Sequence, residues 1–275
     1  MLRALATMPL AQLVLALAID HAHPGRSPYS YEPLAECGTD AKKPACELTP
    51  VCADPAPRCG PPKYSRVRGA WVRVESRETS IRRFARIASA LASTTDRLAR
   101  CVAADGARLR DCEPIGWSGG ERALALSALT VALHESGLRE DVMFGHPPLG
   151  RGPAGEACLM QVALDQAAQQ AFWLPPEKRE QIANSRHKRE EFAKSLLGGD
   201  PASLGRCFEV GIRMLARARK SCTRAGVSWD AGMFSMYGSG RTCSAPAVAR
   251  TRTRTFRTLI AEHPSLEPEL SALLE

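Results

Sequence analysis

Beyond its first 20 positions, the 275-residue chain has no apolar run approaching the roughly 20 residues that cross a bilayer. The mature chain is therefore expected to carry no transmembrane segment. Aromatic residues make up only 5% of it, which leaves Leu, Ala, Val and Ile to supply most of a core. Cys-x-x-Cys is missing although the chain holds 10 cysteines, which excludes a zinc ribbon and a thioredoxin-like motif. His21, His23, His134 and His146 have no ligand spacing, so no metal and no cofactor is expected. No stretch alternates apolar and polar residues as a half-buried strand would, and there is no internal repeat.

What is present is an ordinary globular balance, 44% apolar and 24% charged, with a net charge of +8. A basic surface suits a polyanion, whether nucleic acid, anionic membrane or acidic cell wall, without choosing among them. The even number of cysteines fits a disulfide framework and an exported protein, periplasmic or extracellular. The N-terminus agrees: Arg3, an apolar stretch from Leu10 to Ile19, and small residues at Ala16 and Ala18 read as an export leader over residues 1–20. A mis-called start or a buried helix is the other reading of that stretch. Residues 21–70 are rich in Pro, Gly and Cys, which regular structure tolerates poorly. They read as a loop-rich extension, with Cys37, Cys46, Cys52 and Cys59 available to staple it.

Helical periodicity begins near Ser76, where Ile81, Phe84, Ala88, Leu91, Leu98 and Val102 share one face. "SGGERALALSALTVALHES" reads as a helix buried on most sides. "GHPPLGRGPAG", residues 145–155, is a glycine–proline loop. The next helix is expected from Gln161 to about Pro175. "PEKREQIANSRHKREEFAKSLLGG" reads as one helix opening on proline. "DPASLGRCFEVGIRMLARARKSC" follows with Asp200 as N-cap. "SWDAGMFSMYGSG" is a shorter helix ended by glycines, and "APAVARTRTRTFRTLIAEH" is the last. The class is mainly α with at most a small β-hairpin; residues 71–263 form the domain and 264–275 a tail.

Glu135 closes the most apolar of these helices, in "ALHESG". A zinc protease would need His-Glu-x-x-His, but position 138 is Leu. A serine nucleophile would need a Gly-x-Ser-x-Gly elbow, which is not there. What remains is a carboxyl in apolar surroundings. Burial raises the pKa of such a group, as a general acid acting on a glycosidic oxygen requires.

"ALHESG", then "ACLMQV" at 157–162, then "MFSMYGSG" at 233–240 resemble, in order, the three motifs of the lytic transglycosylases of the soluble-lytic-transglycosylase type. Those motifs are Glu-Ser at a helix end, Gly-Leu-Met-Gln, and Ala-Tyr-Asn-Ala-Gly. The resemblance covers roughly residues 75–262 and implies a lysozyme-like helical domain. It implies Glu135 as the single acid/base and Ser136 as support for the glutamate or the substrate. It implies Met160 and Gln161 as the pair that contacts the glycan, and Tyr237 as the tyrosine reaching toward the catalytic carboxylate. The implied substrate is the β-1,4 bond between N-acetylmuramic acid and N-acetylglucosamine (MurNAc-GlcNAc) in peptidoglycan, and the implied product a 1,6-anhydro-muramyl end. Cys158 stands where the motif has glycine, Gly238 stands where it has asparagine, and the spacer from Glu135 to Leu159 is longer than usual.

Two other readings share the fold: a lysozyme-like hydrolase, and a non-catalytic glycan-binding relative. The hydrolase needs a second carboxylate, for which Asp141 and Glu156 are nearest in sequence. Arg250, Arg252, Arg254 and Arg257 make either a solvated basic face or a contact for anionic wall polymer; no nucleic-acid-binding motif accompanies them. The partner is thus expected to be peptidoglycan glycan strands, and not nucleic acid.

Among the cysteines, Cys101–Cys112 is a natural local pair across an inter-helix loop. Cys207 and Cys222 lie 15 residues apart in one expected helix, which is roughly 22 Å and beyond the ~7 Å reach of a disulfide. If Cys158, Cys207, Cys222 and Cys243 pair only among themselves, Cys158–Cys243 is excluded with it. Two arrangements survive. Cys158–Cys207 with Cys222–Cys243 is preferred, because the second then closes a short loop around the tyrosine helix.

Overall fold

The computed structural model describes residues 9–22, 28–29, 63–67, 70–74, 77–101, 117, 120–146, 150–152, 155–240, 242–244 and 246–261. Helices dominate them. In chain order they are α1 (Leu10–His21), α2 (Arg77–Arg100), α3 (Gly120–Ser136), α4 (Glu140–Phe144), α5 (Leu164–Gln170), α6 (Pro176–Asn184), α7 (Arg186–Leu196), α8 (Pro201–Arg224), α9 (Trp229–Ser239) and α10 (Pro246–Ala261). Cys37, Cys46, Cys52, Cys59, Cys112 and the tail 264–275 lie outside the described residues.

Helix α3 is the centre. Every residue from Ala123 to Ala132 is buried, so the helix is enclosed on all sides as its unbroken apolar sequence requires. Two of its buried hydroxyls stay within the helix: Ser127 donates to the Ala123 carbonyl at 2.9 Å and Thr130 to that of Leu126 at 2.8 Å. Burial therefore strands neither group. Helix α2 packs beside it with Phe84, Ala88, Leu91 and Leu98 inward, as the periodicity predicts. Helix α8 carries Leu204, Phe208, Ile212 and Leu215 into the same core. It starts where the sequence places it: the Asp200 carboxylate accepts from the amides of Ala202 and Ser203, both at 3.0 Å, ahead of Pro201 in the first turn.

The stretch that reads as a leader forms α1, whose Leu13, Val14, Leu17 and Ala18 are buried against α2 and α3. The structure changes three expectations. The helix expected from Gln161 starts instead at Leu164, because residues 157–162 form a tight turn closed by the Ala157–Val162 bridge. The charged stretch 176–196 is two helices. Ser185 is extended and its hydroxyl accepts from the Lys188 amide, capping α7 and breaking the run. Finally, the strands exceed one hairpin: β2 (Lys63–Val67) pairs antiparallel with β3 (Ala70–Val74), which also pairs with the two-residue β1 (Pro28–Tyr29). The sheet extends into the stretch expected to be loop.

Candidate functional site

Glu135 occupies the last turn of α3. The chain then turns sharply through Gly137 and Leu138, both at positive φ. Ser136 holds this end. Its hydroxyl donates to the Ala132 carbonyl at 2.7 Å and accepts from the Leu138 amide at 3.1 Å. From α2 the buried Arg83 donates its Nε to the Leu138 carbonyl at 2.9 Å and fixes the same turn. These bonds fix the helix end that carries Glu135.

The segment "CLMQ" faces it from the 157–162 turn. Cys158 has φ 62° and Gln161 φ 45°, the left-handed region that favours glycine. The position demands a conformation that glycine adopts freely. Here a disulfide holds it. Cys158 is bonded to Cys207 of α8 with Cα atoms 6.0 Å apart. Cys222 is bonded to Cys243 with Cα atoms 5.4 Å apart, beside α9. These are the preferred pairings. Cys101 is also disulfide-bonded.

Met160 points inward and is fully buried against α8. A Cβ added at Gly211 would lie 2.7 Å from the Met160 Cε and 2.8 Å from its Cγ. Gly211→Ala is therefore expected to push Met160 off the helix. The resulting loss is about 1–3 kcal/mol of stability, the usual cost of overpacking a filled core. Chemical denaturation checks this, and a gain in stability would contradict the contact. The Met160 side chain is core and presents no surface for the implied glycan contact. Gln161 is half-buried and its amide donates to the Cys158 carbonyl at 3.0 Å.

Tyr237, on α9, brings the third motif to the other two. Its hydroxyl donates to the Met160 carbonyl at 2.8 Å. Burial, and then the nearby Glu135 charge, push this phenol well above its ordinary pKa. It therefore stays protonated and remains a donor. The hydroxyl bonds the turn rather than the carboxylate it was expected to reach.

Two charged residues complete the surroundings of Glu135: Arg252, which the sequence does not set apart from its neighbouring arginines, and Glu156, one of the two carboxyls it offers as a partner. Arg252 of α10 donates its guanidinium to the Glu135 carboxylate in an ion pair. Beside it, the His134 Nε2 and the Thr255 hydroxyl of α10 share a hydrogen bond of 2.8 Å. Burial and the Arg252 charge hold His134 below its ordinary pKa. The second residue is Glu156, whose carboxylate, with the Gln161 amide, occupies the space a Gly152 side chain would take. Glu135 itself is raised above the ordinary carboxylate range. Burial is the largest cause, Arg252 opposes it, and the Glu156 charge adds to it. Asp141 is not a solvated loop carboxyl. It is fully buried and bonded by Arg139 at 2.9 and 2.7 Å.

The four arginines of α10 thus divide. Arg252 turns inward with Ala249, Phe256 and Leu259, at steps of three and four residues. That stripe was readable from the sequence. Arg257 binds Asp230 at 2.8 and 3.1 Å, and Arg250 and Arg254 are exposed. Among the described residues no His, Cys, Asp or Glu cluster could hold a metal ion, and no helix is long and apolar enough to cross a membrane. Comparisons with protein-family models, with curated proteins and with solved structures find no match.

Proposed function

We propose that the chain is a peptidoglycan lytic transglycosylase, exported and acting on MurNAc-GlcNAc bonds with Glu135 as its one acid/base. One observation carries the reading. Three segments far apart in sequence, "HES", "CLMQ" and "MYG", meet around a carboxyl whose pKa is raised by burial. A raised pKa keeps the proton on Glu135 at higher pH, the state from which it can protonate the glycosidic oxygen. The C1–O bond then breaks and Glu135 is left as a carboxylate. It next takes the proton of the muramyl 6-hydroxyl as that oxygen bonds to C1. The cycle consumes no water and returns Glu135 protonated, so one carboxyl suffices. Tyr237 and Gln161 brace the turn that would form the cleft wall, and the exposed Arg250 and Arg254 suit an anionic wall polymer.

Glu156 favours a second reading, a lysozyme-like hydrolase, since its charge reaches Glu135. A carboxylate pair of suitable separation activates water or forms a glycosyl intermediate. The products separate the two. Purified sacculi incubated with the protein are expected to release muropeptides with 1,6-anhydro ends, each lacking one water relative to a reducing end. Reducing ends by mass spectrometry would move the assignment to hydrolysis. No soluble product at all would favour a glycan-binding role.

A further inference from the structure

Arg252 lies where the proposed chemistry does not call for a cation. Its side chain is 12% exposed and that of Glu135 21%, so the pair sits largely out of solvent, between α3 and α10. The neighbouring His134–Thr255 bond joins the same two helices beside it. Adjacent residues of α3 are thus both held by α10, and Phe256 packs edge-on to Phe234 of α9 behind them, ring centroids 5.7 Å apart. A largely buried carboxylate–guanidinium pair on a packed helix is a placed contact, unlike the exposed arginines on the same helix.

We propose that Arg252 is a positioning residue of the candidate site, holding the Glu135 carboxyl group in place and stabilising the charged form left after proton donation. This deepens the reading of Glu135 as the acid/base and rests on it. Burial alone would leave Glu135 a weak acid that holds its proton too tightly. A guanidinium on the carboxylate stabilises the form produced when the proton leaves for the glycosidic oxygen. The other titratable groups facing Glu135 are His134 on α3, Glu156 from the loop before the 157–162 turn, and Tyr237 on α9. Of these, only Glu156 pushes the Glu135 proton affinity upward, and Arg252 is the group that opposes it. Arg151, next to Glu156 in space, is directed to Glu190 and to backbone carbonyls.

The test is a carboxyl titration by NMR, with the Glu135 signal assigned by its absence in Glu135→Gln. Arg252→Met is expected to raise the Glu135 midpoint by about 1–3 pH units, the usual effect of removing an adjacent opposite charge. Arg252→Lys keeps the charge and should restore most of the shift. The alkaline limb of kcat/KM on peptidoglycan should move upward with the Met variant by the same amount. An unchanged midpoint in folded Arg252→Met overturns the proposal. Should that variant not fold, the wild-type guanidinium resonances of Arg252 decide: they are expected to follow the Glu135 midpoint, and no response to it overturns the proposal. The titration uses no glycan. Its failure is therefore separate from failure of the transglycosylase reading, which falls if Glu135→Gln still cuts sacculi.

Discussion

Glu135→Gln is expected to slow release of muropeptides from purified sacculi by about 10²–10⁴-fold, the range a general acid contributes. The substitution removes the transferable proton and keeps the shape. Gln also keeps an oxygen that can accept from Arg252, so the α3–α10 contact changes from ion pair to neutral hydrogen bond. The expected loss of stability is on the order of 1 kcal/mol. Because Ser136 and Arg83 hold the helix end through bonds that do not involve Glu135, the turn should persist. Initial rates paired with thermal unfolding read both quantities. A rate within a fewfold of wild type, in a protein that unfolds normally, would take the acid role away from Glu135 and direct attention to Glu156.

Breaking Cys158–Cys207 is expected to have the largest effect on stability. The bond closes a loop with a sequence separation of 49, and releasing that constraint on the unfolded chain costs about 4 kcal/mol in the chain-entropy description. The choice of replacement adds a sharper test. Cys158 sits at φ 62°, so alanine there bears the left-handed backbone without the bond that holds it. Glycine bears it freely. Cys158→Gly with Cys207→Ala should therefore be more stable than Cys158→Ala with Cys207→Ala by about 1 kcal/mol. Urea unfolding of the two double variants measures the difference, and equal midpoints would mean that the turn relaxes once the bond is gone. Since the carbonyl of Met160, two residues on, accepts from Tyr237, the Ala variant should also lose lytic activity first.

Much of this arrangement was legible from residue order. The caps and apolar periods located α2, α3, α8 and α9, because each rests on local physics: a side chain that caps, a stripe that buries, a glycine that ends a helix. For the four later cysteines, helix length forbade Cys207 from reaching Cys222 and left two arrangements, of which the short loop around α9 favoured the one observed. Less local features escaped. Gln161 reads as the start of a helix because glutamine suits one, yet its positive φ is imposed by the Ala157–Val162 bridge around it. Ser185 gave a start signal inside a charged run, but the run lacked the apolar interruption that usually accompanies a break. Arg252 was lost among four arginines, although its spacing to Phe256 and Leu259 sets it on the buried stripe. Charge type outweighed position there. Which carboxylate a buried arginine meets depends on how α10 docks, and a single helix sequence does not encode that.

The Glu135–Arg252 pair spans 117 positions, and Glu156, Gln161, Tyr237 and Thr255 also lie C-terminal to Glu135. A ribosome makes α3 early and α10 late. During synthesis the acid is therefore present long before the residues that surround it, and a chain terminated anywhere before Arg252 carries Glu135 with no guanidinium opposite. The complete site forms only once synthesis has passed Thr255.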